Sequence, residues 1–388
     1  MKWKNKGHEF DAIGSKYKEL KGILVYGAGE LGVELHKILK GIGADYKFVD
    51  DYLGVEKKYL GVEVVTSDEM RALMREKGYI IVLAFGRLNT GMLLKQLILE
   101  GMVLGENLFE YHSFVDFYLH IIAAYRYNKC FIYSCGVKVI NTCTLRCEKC
   151  MSALPYTQEK NLSLEEAMEE TDFLFSKLDF ICYYGIGIGE GFLYKDLDKL
   201  IEYTMEKYKD NIGVFAIVTN GTIVPSERVL EMVKKYNISI RVSNYYSVPG
   251  WKEKYAKLCE VLKKHEIIIQ DYKYDEWIDM GWCDRKKEKD RRMTQKKFDN
   301  CGMNCRAVVK GRLTYCIHSM AANEALYQID IEKDELDLSE EIEDIKKIIM
   351  EYDLGFNNNG ALTMCQFCNG YININKNKVA VATQLKRG

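Results

Sequence analysis

Val137-Lys138-Val139-Ile140-Asn141-Thr142-Cys143-Thr144-Leu145-Arg146-Cys147-Glu148-Lys149-Cys150 is the stretch on which the reading of this chain turns. Val137 to Asn141 reads as a strand, and the loop after it gathers three thiols at the spacing C-x3-C-x2-C. A 4Fe–4S cluster normally takes four cysteine thiolates. Three leave one iron without a protein ligand, open to another molecule. Thiolates also suit zinc, but a structural zinc site wants a fourth Cys or His nearby. The next cysteines on either side are Cys135 and Cys182, and no histidine lies between them. The open-iron reading is therefore favoured.

The rest of the chain bounds the setting. It has 388 residues, more than one ordinary domain, with 48% hydrophobic and 29% charged residues. A formal net charge of −1 gives no global field for nucleic acid or an anionic membrane. Met1 to Lys6 lacks the apolar run of a signal peptide, and no apolar segment is long enough to span a bilayer. A cytoplasmic location is expected, with the 13 cysteines reduced or metal-bound. Their distribution favours metal: eight fall into two groups, Cys143/147/150 and Cys301/305/316/365/368.

Toward the N-terminus, Gly22-Ile23-Leu24-Val25-Tyr26 reads as a buried strand, followed at once by Gly27-Ala28-Gly29-Glu30-Leu31-Gly32 and a helical spacing from Val33 to Leu39. A second apolar run, Tyr46 to Val49, ends at Asp50-Asp51. Strand, G-x-G-x-x-G, helix, strand and acid is the order of a mononucleotide-binding βαβ unit. Gly27, Gly29 and Gly32 would allow a tight turn and close approach of a phosphate to the helix, and Asp50 or Asp51 could bond a ribose hydroxyl. A glycine turn that only packs helix on strand remains the alternative. Ile80 to Phe85 reads as a further strand and Asn89 to Glu100 as a helix. The aromatic residues between 107 and 133 read as packing between two halves of the chain, and His36 and His112 as core or surface histidines. The unit resembles the small Rossmann-type domains of bacterial enzymes of sugar-nucleotide and surface-polysaccharide synthesis, which implies NAD, a nucleotide or a nucleotide sugar as ligand.

Beyond the cysteine loop, strand and helix alternate. Leu164 to Leu178 is a helix with Ser163 and Glu166 at capping-box positions; Phe180 to Ile186, Val214 to Val218 and Ile238 to Val242 are strands, and Ile267 to Ile269 a fifth. This order argues for a parallel sheet curling toward a barrel, with its chemistry at the C-terminal strand ends. Gly187-Ile188-Gly189-Glu190-Gly191, Thr219-Asn220-Gly221-Thr222 and Ser243-Asn244-Tyr245 all fall at that edge. With the cysteine loop, these motifs make roughly residues 137–272 resemble the radical S-adenosylmethionine (SAM) superfamily. The resemblance implies that SAM chelates the open iron, near Gly189, Glu190, Thr219 and Ser243, with Asn220 and Arg241 beside them. A reduced cluster would then split SAM into methionine and a 5′-deoxyadenosyl radical. Two departures stand out: Lys149 replaces a frequent aromatic before the third cysteine, and Gly187 to Gly191 replaces Gly-Gly-Glu-Pro.

Near the C-terminus, Cys301, Cys316, Cys365 and Cys368 could close a four-thiolate site, with zinc the rival to iron. The spacing is similar to the auxiliary-cluster twitch domain, a shorter form of SPASM, which implies one auxiliary 4Fe–4S cluster. Cys305 is then the odd cysteine, either replacing Cys301 or facing substrate. Cys182, Cys283 and Cys305 are candidate hydrogen donors for an epimerisation. The charged run Asp284 to Arg292 reads as a solvated loop, or as a clamp for a substrate diphosphate, with Trp277 and Trp282 able to close over a sugar.

The expected architecture is therefore α/β. Residues 1–20 form a helical extension and 21–128 a Rossmann-like parallel sheet. Residues 129–275 form a partial (β/α)6 TIM-type barrel, and 276–388 a small iron–sulfur domain. The expected function is hydrogen abstraction from a carbohydrate, a nucleotide-linked sugar, leading to oxidation or epimerisation, with a flavodoxin- or ferredoxin-type electron donor. A peptide-modifying enzyme with the same clusters and a non-catalytic metal- and nucleotide-binding scaffold are the rivals.

Overall fold

The computed structural model describes residues 6–53, 57–158, 160–356 and 360–386. The first five residues of the expected helical extension and the last two of the expected iron–sulfur domain lie outside them. The first sheet comprises β1 (Gly22–Tyr26), β2 (Tyr46–Val49), β3 (Lys58–Tyr59), β4 (Val62–Val65), β5 (Tyr79–Leu83) and β6 (Leu108–Glu110), in the order β3-β4-β2-β1-β5-β6. All its pairings are parallel except β3 with β4. β1 pairs with β2 on one side and β5 on the other, so the chain reverses its direction of travel across the sheet at β1. The glycine turn sits at this switch point, where open α/β sheets form crevices.

The second sheet carries the cysteine loop. β7 (Phe131–Ile140), β8 (Phe180–Gly187), β9 (Ile212–Thr219), β10 (Ser239–Asn244) and β11 (Ile269–Lys273) run parallel, each crossing to the next through a helix. The first of these helices, Leu164–Lys177, starts at the expected capping box, where Ser163 and Glu166 satisfy each other's backbone N–H. The strands alternate. Tyr184, Ile217, Ile240 and Val242 pack under the helices in one core, while Gly185, Val218 and Arg241 face a cavity on the other side. β7 starts six residues earlier than expected, and β11 lies two residues later. Its pairing with β8 shifts between Gly136 and Ile140, just before the cysteine loop.

β12 (Glu276–Ile278) lies outside this sheet. A sixth parallel strand, β13 (Ala307–Val309), joins β7 from the C-terminal third of the chain, pairing Val308 with Val137. β14 (Arg312–Thr314) and β15 (Leu336–Asp337) extend the sheet antiparallel, giving the order β11-β10-β9-β8-β7-β13-β14-β15. The expected boundary at 275/276 therefore cuts through one continuous sheet. β16 (Lys378–Ala380) pairs antiparallel with β12.

The first sheet covers the N-terminal ends of β8 and β9 through the helix Glu30–Gly41. A Cβ on Gly41 would lie 2.1 Å from the Phe180 ring, so the two units are in direct contact there. In the aromatic stripe Phe109 packs against Phe114 and Tyr118, and Phe117 against Phe10, all within the N-terminal part of the chain. His36 is buried beside the Tyr46 hydroxyl, 2.7 Å from its Nδ1, and His112 is exposed. No described helix is long and apolar enough to cross a membrane.

Candidate active site

The cysteine loop leaves β7 at the C-terminal edge of the parallel strands and is held from three directions. From β9, the Asn220 amide donates to Cys143 Sγ at 3.3 Å and to the Thr144 hydroxyl at 3.0 Å. From within the loop, Leu145 N lies 3.5 Å from Cys143 Sγ. From the chain's C-terminal tail, the Gln384 amide donates to Cys147 Sγ at 3.3 Å. The same tail forms a two-way backbone tie, Glu148 N to Thr383 O at 2.8 Å and Leu385 N to Arg146 O at 2.8 Å. Nothing in the sequence marks Gln384, because it lies 237 positions along the chain from Cys147.

These contacts suit thiolates bound to iron. Burial pushes the Cys143 thiol up to about 11 and Cys147 to about 12, and raises Cys150. Without a cation the thiols stay protonated at neutral pH, and metal binding releases those protons. N–H donors aimed at sulfur are the groups that stabilise the charge which then remains. Among the described residues no three His, Cys, Asp or Glu side chains are arranged to hold a single metal ion. A cubane instead takes its thiolates at separate corners.

A cavity of about 270 Å³ opens beneath the loop, lined by Gly136, Gly185, Gly187, Gly189, Val218 and Arg241 among others. Glycine is required in part by packing. A Cβ on Gly136 would sit 1.9 Å from Gly185 O, and one on Gly189 would sit 2.3 Å from Thr142 O. Gly185 itself faces open space. Val218 is 47% exposed on this face although it belongs to a central strand. Ser243 shares the strand face of Arg241, whose guanidinium lies 4.6 Å over the Tyr183 ring.

Two of the expected SAM residues have their side chains engaged within the protein. Glu190 is 1% exposed; its carboxylate accepts from Phe192 N at 3.3 Å and Asn220 N at 2.7 Å, so it braces two strand ends and leaves only backbone to face a cofactor. Burial raises its pKa. Thr219 is buried on the strand face of Ile217, and its hydroxyl accepts from Gly221 N at 3.1 Å. Strand parity turns it away from the cavity.

The C-terminal cysteines converge. Cys301, Cys316, Cys365 and Cys368 line one small enclosed cavity, about 30 Å³, with Trp282 and Phe298. Burial pushes Cys368 up to about 12 and raises Cys301 and Cys365, while Gly370 N donates to Cys368 Sγ at 3.2 Å. Cys305 does not line this cavity; it lines the barrel cavity, next to Arg306. Trp282 is buried, with its indole N–H on Met151 O at 3.0 Å, and Trp277 packs edge-on against Tyr245, so both serve packing.

The other two candidate hydrogen donors do not line the barrel cavity. Cys182 is buried in the core shared with the first sheet, beside the cleft at Gly29, and does not line the barrel cavity. Cys283 sits outside that cavity, its thiol 3.4 Å from Glu148 O.

In the first sheet Gly27 has φ +111°, and a Cβ on Gly32 would meet Gly27 O at 2.1 Å, so both glycines are needed by the turn. Gly29 faces open space, on a cleft of about 490 Å³ lined also by Glu30, Glu34, Lys37, Cys182 and Tyr183. Asp50 is partly engaged at home: one carboxylate oxygen accepts from Tyr52 N at 2.9 Å and Leu53 N at 3.0 Å.

Residues 137–271 match the model of the Radical SAM superfamily, so this part of the chain is a radical SAM domain, the domain of an enzyme. That superfamily implies a 4Fe–4S cluster and SAM, which the three-thiol loop fits. No curated protein sequence matches the chain. Three solved structures are similar to it at low identity. BtrN in complex with AdoMet and 2-DOIA is 16% identical, over 67% of this chain and 97% of that one, at TM-score 0.36. Native anSMEcpe with bound AdoMet and the Cp18Cys peptide is 13% identical over 59% and 81%, at TM-score 0.37. SuiB of Streptococcus suis bound to precursor peptide SuiA is 14% identical over 47% and 45%, at TM-score 0.28.

Proposed function

We propose that the protein is a two-cluster radical SAM enzyme that abstracts hydrogen from a carbohydrate, a nucleotide-linked sugar, and carries it to oxidation or epimerisation. One observation carries this reading: four C-terminal cysteines converge on one small cavity apart from the three-cysteine loop, and Cys305 lines the barrel cavity instead. Cys143, Cys147 and Cys150 would hold the first cluster, and Cys301, Cys316, Cys365 and Cys368 an auxiliary one. Cluster and SAM, when bound, supply a 5′-deoxyadenosyl radical that takes hydrogen from an unactivated carbon.

The chain's own residues do the rest. Asn220 and Gln384 hold the cysteine loop by its sulfurs. Backbone around Gly189, with Ser243 and Arg241 on the cavity face, would orient the cofactor and substrate. The first sheet and β13 to β15 close the strand sheet at its base and its flank, which shields a radical from water. Cys305 is the candidate hydrogen donor placed for an epimerisation, and the four-thiol site supports oxidation instead.

The nucleotide part of the reading rests on the cleft at Gly29. Tyr183 lines both that cleft and the barrel cavity, which supports one elongated ligand reaching from the glycine turn toward the barrel. A flavodoxin- or ferredoxin-type protein in a reducing cytoplasm would supply the electron. The test is anaerobic incubation of iron-loaded protein with SAM, reductant and deuterated nucleotide sugars. Deuterium appearing in 5′-deoxyadenosine from one sugar position supports the reading; SAM cleavage without transfer from any sugar contradicts the carbohydrate assignment.

A further inference from the structure

The charged run after Trp282 is absorbed by neither cavity. Between residues 285 and 292 stand six cations, Arg285, Lys286, Lys287, Lys289, Arg291 and Arg292, all exposed. The acids in and beside the run are engaged internally. Asp284 is 3.0 Å from the Lys149 ammonium, and Glu288 is 3.8 Å from Lys297. Asp290 caps the helix Arg291–Asp299 by accepting from Arg292 N at 2.8 Å. A chain of net charge −1 therefore carries a short strip of exposed positive charge whose local acids are each engaged with a neighbouring group.

The strip lies against both thiol loops. On one side, Cys283 donates to Glu148 O at 3.4 Å, and Lys149 bridges Asp279 at 2.9 Å and Asp284 at 3.0 Å; Glu148 and Lys149 are the two residues between Cys147 and Cys150. On the other side, Glu288 N donates to Gln366 O at 2.7 Å, between Cys365 and Cys368, and the Lys287 ammonium lies 5.9 Å over the Phe367 ring. No residue of 284–292 lines the barrel cavity, so the diphosphate-clamp alternative has no substrate to meet there.

We infer that segment 285–292 is the docking surface for a small acidic one-electron carrier protein, which delivers its electron to the cysteine loop. The inference rests on the two-cluster reading above. In the transfer the reduced carrier loses one electron and the cluster of Cys143, Cys147 and Cys150 gains it; no atom or proton changes hands. The chemistry of the surface selects the partner. Exposed Lys and Arg attract an acidic face at contact range, within a screening length of about 8–10 Å, and such steering acts on encounter rate and orientation more than on final affinity. A Cys283–Glu148 hydrogen bond then separates the strip from the loop backbone, so a docked carrier stands one contact from the thiols.

The test uses a purified bacterial flavodoxin as probe, with three proteins: wild type, Lys286→Glu/Lys289→Glu/Arg292→Glu, and the control Lys252→Glu/Lys254→Glu on the exposed face of the helix Trp251–Lys264. Two quantities are read: affinity for oxidised flavodoxin, which needs no turnover, and the stopped-flow rate of flavodoxin hydroquinone oxidation by the iron-loaded protein. The triple variant should bind more weakly and react about tenfold more slowly at low salt, and lose the salt dependence shown by wild type and control. Cleavage of SAM driven by dithionite should be equal in all three. A triple variant that binds and oxidises flavodoxin as wild type does overturns the inference, and so does one that also loses dithionite-driven cleavage. Absence of dithionite-driven cleavage in wild type instead removes the reading beneath it.

Discussion

Ser152 and His318 stand 2.7 Å apart, hydroxyl oxygen to Nδ1. One hydrogen bond thus ties the turn that follows Cys150 to the helix Ile317–Ala322, whose N-cap is Cys316. Burial pushes His318 down to about 4, so its ring is neutral where the protein works. The two thiol sites are held in register by this tie. Ser152→Ala should cost about 1 kcal/mol of stability, read as a lowered denaturation midpoint, with the fold retained.

The two neighbouring cysteines Cys301 and Cys305 face different cavities, and iron analysis separates them. Cys301→Ser should lower iron by about four atoms per chain, because it removes one corner of a four-thiolate site. Cys305→Ser should leave iron unchanged and alter only the fate of the substrate. Equal iron loss in both variants would place Cys305 in the auxiliary site.

Asn220 and Gln384 reach the cysteine loop from opposite ends of the fold, each with an N–H on sulfur. Replacing either with Ala should weaken cluster retention by about 10–100-fold, the usual consequence of losing a partner of a metal ligand. Iron release to a chelator under anaerobic conditions measures it. The Gln384 result matters most, since it asks whether the C-terminal tail belongs to the site.

Glu335 supplies a pH signature away from either thiol site. Burial raises its carboxyl from 4.5 to about 7, with Asp334, Glu324 and Glu332 adding to the rise and Arg312 opposing it. The folded state therefore holds a proton that the unfolded chain has released, and stability falls as pH rises from 4.5 to 7. Glu335→Gln should flatten that decline and stabilise the protein at pH 8 by about 1–2 kcal/mol once solvent screening is allowed for. Chemical denaturation at several pH values checks it.

The chemistry-bearing parts legible in the sequence were the local ones. Three thiols within eight residues, a capping box at Ser163, and turns at the ends of successive strands are encoded by neighbours along the chain. What escaped depends on distant partners or on side-chain direction. The strand Ala307–Val309 is three residues long, and only its pairing with Val137 makes it the sixth of the parallel set. Gln384 has no motif at all. Thr219 and Glu190 stand at the C-terminal strand ends, but strand parity and a buried brace turn their side chains away from the cavity. Cys182 is buried by the first sheet, a partner that no pattern within β8 announces.

The central claim is that Cys143, Cys147 and Cys150 hold a cluster with one open iron at which SAM is split. The most direct measurement is 5′-deoxyadenosine formed anaerobically by iron-loaded protein with SAM and dithionite. The account predicts formation by wild type and none by Cys147→Ala, while Cys365→Ala still forms some. No 5′-deoxyadenosine from iron-loaded wild type, or an undiminished rate in Cys147→Ala, would contradict it.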